Sequence, residues 1–160
     1  MYHTIWLLST LPNDIVSPAK FIDIDIHVTY QRALKGMYHA IKGFSDAGIN
    51  VIVDDVLLNE DDRLKQCVEL LHDYPVLFVH VTCPVAELRR REENRGDRDI
   101  GQGESQLAML TPQDIYDITA NTHDDSTEVC ADKIIKALSS PDKFSAFKIL
   151  WSKQHTSYVM

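Results

Sequence analysis

Two runs in this sequence have residue types and spacing suited to handling phosphate. The first is Val51-Ile52-Val53, followed at once by Asp54-Asp55. A short all-apolar run suits a parallel strand covered on both faces. Acidic side chains at its carboxyl end would point into the crevice where such sheets bind ligands. A carboxylate there can hold Mg²⁺ directly or through water, or orient a substrate hydroxyl. A solvated strand end, or a cap for the next helix, would use the same residues. The second run is Arg91-Glu92-Glu93-Asn94-Arg95-Gly96-Asp97-Arg98. Arg91, Arg95 and Arg98 follow three- and four-residue spacing, so they share one helical face if the helix continues that far. Planar guanidinium groups bind phosphate oxygens bidentately and can stabilise charge in a transferring phosphoryl group. Gly96 lets the backbone turn, and Asp97 can fix a neighbouring arginine. Glu92, Glu93, Asp97 and Asp99 balance most of that charge, as they would in a solvated helix end.

Other chemistry finds little support. The seven histidines show no ligand spacing, and no His-Glu-x-x-His occurs. His123-Asp124-Asp125 reads as a loop leading into a helix cap. There is no Gly-x-Ser-x-Gly nucleophile elbow. Cys67, Cys83 and Cys130 lie far apart, which suits reduced thiols in a cytoplasmic protein, with Cys67 and Cys130 filling the core. The net charge of −8 argues against a general nucleic-acid or anionic-membrane binder, although five of the 16 basic residues fall between Arg89 and Arg98. No secretion signal is evident, and no apolar run reaches the roughly 20 residues of a membrane span.

The elements that must position the two runs can be read from periodicity. Residues 4–8 are a buried strand or the end of a helix. Residues 21–28 alternate apolar and polar, as a strand with one wet face does. From Tyr30, Leu34, Met37, Ile41 and Phe44 make one helical face, and Gly48 is its natural stop. Asn59 can cap the next helix, with Asp61 and Asp62 in its first turn and Leu64, Val68 and Leu71 on its buried face. Pro75 opens a strand over Val76–Val81. Pro84 starts the helix that carries the arginines. A mobile-looking Gly101-Gln102-Gly103-Glu104 precedes a helix near 105–110 and a short strand at Ile115–Thr119. Asp125 and Glu128 read as a capping pair for a helix buried through Val129, Ile134, Ile135 and Leu138. Alternating strands and helices give an α/β domain with a mostly parallel sheet over residues 1–138. Residues 139–160 form a tail in which Phe144, Phe147 and Trp151 make an amphipathic turn or two and the last residues fray.

Together the two runs resemble the chloramphenicol phosphotransferase-like family. The resemblance is carried by Asn50–Leu57, Val81-Thr82-Cys83-Pro84, Arg91-Glu92 with Arg95-Gly96-Asp97-Arg98, Tyr116-Asp117 with Asn121-Thr122, and Phe21–Asp25 before the helix from Tyr30. It covers roughly residues 4–138, and Arg-Gly-Asp-Arg is its most specific part. It implies a P-loop-kinase-like, three-layer α/β domain that transfers an ATP phosphoryl group to a small-molecule hydroxyl with Mg²⁺. By matching motifs, Asp54 and Asp55 lie at the active-site strand end as catalytic and metal-binding residues. Arg91, Arg95 and Arg98 belong to a phosphate-facing lid, with Arg95 and Arg98 catalytic. Gln106 falls where the family has a lid glutamine that faces ATP. Phe21, Asp23 and Asp25 border the acceptor site.

The sequence also departs from that family. Gly-x-x-x-x-Gly-Lys-Ser/Thr is nowhere in it, so the backbone nest, phosphate lysine and Mg²⁺-binding hydroxyl of that loop are not supplied. The family's base for the acceptor hydroxyl is an aspartate a few residues before a Leu-Pro, and counting back from Leu11-Pro12 reaches Ile5. The family sets the strand before its glycine-rich loop in the centre of the sheet. With that strand and its helix missing or replaced, residues 4–8 or a second chain must fill the gap. The expectation is a truncated or inactive phosphotransferase-like chain. A non-catalytic, homo-oligomeric binding module is the alternative.

Overall fold

Three residues, Thr4–Trp6, form strand β1 and occupy the centre of the sheet. In the computed structural model, residues 4–6, 26–59, 62–95, 100–110 and 114–156 are described, with side chains from residue 28 onward. On one side β1 pairs in parallel with β2 (Val51–Val53), and on the other with β3 (Val76–Leu77). The central position is thus filled from within the chain. Past Phe78, β3 continues as β4 (Val79–Thr82), which pairs in parallel with β5 (Ile118–Asn121). The strands form a three-stranded sheet, β2-β1-β3, and a two-stranded one, β4-β5. Because each pairing between these strands is parallel, their carboxyl ends point the same way.

The strand expected over Val76–Val81 is therefore present but broken at Phe78, and Asp117 explains the break. The Phe78 N–H donates to Asp117 Oδ2 at 2.8 Å, and the Asp117 N–H donates to the Phe78 carbonyl at 2.9 Å. A side chain here takes a donor that a ladder would use. This pushes the start of β5 to Ile118, past the expected Ile115, and Ile115 and Tyr116 pack on the core instead.

Helices cover both faces. Alternation along Val76–Val79 sends Val76 and Phe78 into one core cluster and Leu77 and Val79 into another. The first cluster is built by α1 (Ile26–Asp46), α2 (Arg63–Leu71) and α6 (Ala146–Thr156), through Tyr38, Ile41, Leu64, Cys67, Val68, Leu71, Phe147 and Leu150. The second receives Ile134 from α5 (Thr127–Leu138) and Phe144. The result is a three-layer α/β arrangement. The tail expected after Ser139 thus holds a helix whose Ala146, Phe147 and Leu150 are buried in the main core.

Several boundaries differ from the sequence reading. Residues 26–28 are helical rather than part of a strand, and residues 21–25 lie outside the described residues. On α1 the buried positions are Tyr38 and Ile41, whereas Met37 and Phe44 are exposed. The end of α1 is as expected. Gly48 has φ 76°, its N–H donates to Ser45 O, and the Ile49 N–H donates to Phe44 O, a pair of bonds that closes the helix. Helix α2 starts at Arg63 with Asp62, not Asn59, at its cap, while its buried face is the one expected plus Arg63. Ser126, not Asp125, caps α5 by accepting from the Val129 N–H, and Asp125 pairs with Lys133. On that helix Cys130 and Ile134 are buried, but Val129 and Ile135 face solvent. Strand β2 is covered on one face only, since Ile52 is 64% exposed. Ile52 is in register with Ile5, and Ile5 with Leu77, so it lies on the α5 side, which α5 does not cover this far out.

Candidate active site at the strand edge

The site grows from the carboxyl ends of β2, β4 and β5. Val53 is buried, and the chain leaves it into Asp54, exposed, and Asp55, half-buried. Two helices clamp this turn. From α1, the fully buried Tyr38 donates its hydroxyl to Asp55 Oδ2 at 3.0 Å. Burial first, then the Cys67 thiol and the Asp55 carboxylate, pushes the Tyr38 hydroxyl far above its ordinary value, so it stays a donor. From α2, Arg63 donates Nη1 to the Val56 carbonyl at 3.3 Å and lies over the Tyr30 ring, 5.2 Å from its centroid. Burial, and then the neighbouring Asp55 charge, raises the Asp54 carboxyl above its ordinary value. The sequence reading missed Tyr38 and Arg63, because a tyrosine with a polar tip and an arginine look like solvent-facing positions.

Helix α3 (Val85–Arg95) starts just past the end of β4, with the Pro84 carbonyl accepting from the Leu88 N–H at 3.1 Å. Arg91 crosses to the end of β5. It donates Nη2 to the Thr122 carbonyl at 2.7 Å, Nη1 to Thr122 Oγ1 at 3.0 Å and Nε to Glu87 at 2.7 Å. Hydrogen bonds from Arg90 first, and then Arg91, hold the Glu87 carboxyl down at about 2. Arg95 lies exposed at the end of α3. Arg98, Phe21, Asp23 and Asp25 lie outside the described residues. Neither Asp54 nor Asp55 forms an ion pair with an arginine among the described residues.

Glu92 departs most from its expected role as a solvated counter-charge. It is the one buried residue of α3, and its carboxylate accepts the Gly101 N–H at 2.7 Å and the Gly103 N–H at 2.6 Å. These amides open α4 (Gln102–Met109), which carries a half-buried Gln106. Arg89 also pairs with Glu104. The glycine stretch that looked mobile is the fixed start of a helix. Gly101 adopts φ 91°, which suits glycine, and a Cβ on Gly103 would sit 3.0 Å from Glu92 Oε1. At its far end α4 meets the loop after β2, where the Asn59 N–H donates to the Met109 carbonyl at 2.7 Å.

The donors at the strand end are the two carboxylates, and among the described residues no group of three or more His, Cys, Asp or Glu could hold a metal. Two carboxylates are a donor set that Mg²⁺ can use, because it keeps several waters and takes one or two carboxylates plus phosphate oxygens. Bound there, Mg²⁺ would neutralise charge on phosphoryl oxygens. The residues do not fit the triphosphate of ATP equally well. The 160 residues hold no glycine-rich lysine motif, and the amides of Gly101 and Gly103 are taken by Glu92.

No curated protein matches the chain. The model of the family described as chloramphenicol phosphotransferase-like protein matches residues 15–139, well over half of the chain. Acidic strand, α3 and β5 all fall within that span, and the chain belongs to the chloramphenicol phosphotransferase-like family.

Proposed function

We propose that this chain handles phosphate as a kinase-type phosphotransferase does, at the carboxyl ends of its strands. Asp54 and Asp55 hold Mg²⁺, and Arg95 and Arg98 meet the transferring phosphoryl group. Arg91 keeps the base of α3 against β5, and Gln106 faces the nucleotide. Phe21, Asp23 and Asp25 border a small-molecule hydroxyl acceptor, and ATP is the donor. The supporting observation is topological: Asp54-Asp55, the start of α3 and Thr122 each follow the carboxyl end of a parallel strand. Ligands bind at those ends in open α/β sheets.

The 160 residues alone should be a poor enzyme. Phosphoryl transfer is almost entirely positioning and electrostatic stabilisation, and no glycine-rich cradle contributes either. Calorimetric titration with inorganic tripolyphosphate, with and without Mg²⁺, tests the reading. Binding should need Mg²⁺ and should be lost in the double variant Asp54→Asn, Asp55→Asn. Equal affinity with and without the metal would contradict it.

The second reading, a non-catalytic homo-oligomer, draws on Ile52 at 64% and Ile135 at 62% exposure. Against it, β1 fills the sheet centre without a second chain. A native mass above the monomer, lowered by Ile52→Lys, would favour this second reading.

A further inference from the structure

We propose that Glu92 is the positioning residue of the α3–α4 unit, setting where α4 stands relative to the arginines of α3. This rests on the phosphate-handling reading above. No other residue of helix α3 is buried, yet Glu92 is only 8% exposed. A buried carboxylate is costly unless its oxygens are bonded. Here each oxygen takes one backbone N–H, from Gly101 and from Gly103. Both amides sit at the positive end of α4, where a negative charge is favoured. The two glycines complete the arrangement, one by its φ of 91° and the other by leaving the carboxylate room.

The contact joins the helix that carries Arg95 to the helix that carries Gln106. Arg95 lies three residues after Glu92, and Gln106 three residues after Gly103. One carboxylate therefore holds together the described elements that carry these two ATP-facing candidates. The Arg89–Glu104 pair joins the same helices but is exposed, so it adds little. Arg91 ties α3 to β5 and leaves α4 unaffected. On this account the phosphate affinity of the unit depends on a side chain that touches no phosphate.

The test uses Glu92→Gln and Gly103→Ala with two readouts. The first is the amide resonances of Gly101 and Gly103. The second is tripolyphosphate affinity in the presence of Mg²⁺. A glutamine has one acceptor oxygen where glutamate has two, so at least one glycine amide should move upfield. Affinity should drop about tenfold, as expected when a charge-assisted contact is displaced. Gly103→Ala keeps the carboxylate but crowds it, should act in the same direction, and decides the matter if Glu92→Gln does not fold. A folded variant with shifted amides and unchanged affinity would overturn the positioning role. A wild-type chain that binds no tripolyphosphate would overturn the phosphate reading itself, and the positioning role with it.

Discussion

Removing the Asp117 carboxylate should cost a large share of the stability of this chain. Three backbone N–H groups depend on it. Oδ2 accepts from Phe78 at 2.8 Å, and Oδ1 accepts from Ser145 at 2.8 Å and Ala146 at 3.0 Å. Asp117→Ala leaves the Phe78 N–H without a partner in a residue only 4% exposed. That loss is worth about 1–3 kcal/mol. It also uncaps α6, for about 0.5–2 kcal/mol. The sum is roughly 2–5 kcal/mol, against a total stability of about 5–15 kcal/mol for a typical domain. Asp117→Asn keeps one acceptor and turns an amide NH₂ toward the other donors, so about 1–3 kcal/mol is expected. Urea unfolding followed by circular dichroism measures both. With a slope near 2 kcal/mol per molar, the alanine variant should lose about 1–2.5 M in midpoint. A loss under about 0.5 kcal/mol for alanine, or a larger loss for asparagine than for alanine, would refute the reasoning.

Three further outcomes follow from the same structure. Gly48→Ala should destabilise by about 1–2 kcal/mol in thermal or urea unfolding, because φ 76° places a Cβ against the carbonyl. Asp54 holds its proton to higher pH than an ordinary aspartate, so Mn²⁺ binding should weaken as pH falls through that raised value. Asp55→Asn, which removes the second cause, should move the fall to lower pH in an EPR titration. The native state also binds more protons than the unfolded one there, so the contribution of Asp54 to stability declines as pH rises from 3.8. His80, stacked on Tyr116 at 4.4 Å and partly buried, should titrate below 6.5 in an NMR pH series, and its contribution to stability should be lost as pH falls through that window.

Much of the frame was legible in the residues themselves. Val51–Val53 ends in its aspartates as a parallel strand should, Gly48 stops α1, and Pro84 starts the arginine helix. These are local rules of backbone and periodicity, and one sequence carries them. What could not be read depends on partners distant in the chain. Tyr38 replaces Met37 on the buried face because Asp55 accepts its hydroxyl, seventeen residues away. The start of β5 moves because the Asp117 side chain reaches Phe78, thirty-nine residues away. Gly101 and Gly103 look like a flexible linker until Glu92 is seen to fill the space between them. At the site, the acidic turn and α3 were found by motif. The groups that hold them, Tyr38, Arg63, Thr122 and Glu92, needed the fold.

Calorimetric titration of the 160-residue chain with Mg-ATP, in parallel with the Asp54→Asn, Asp55→Asn double variant, decides whether the acidic strand end is the phosphate site. Weak, metal-dependent binding near roughly 1 mM, about −4 kcal/mol, is expected, and it should disappear in the double variant. Micromolar affinity would mean that a phosphate cradle exists which neither the glycines nor the arginines described above supply. Binding indifferent to the two aspartates would mean that the strand edge is not the phosphate site.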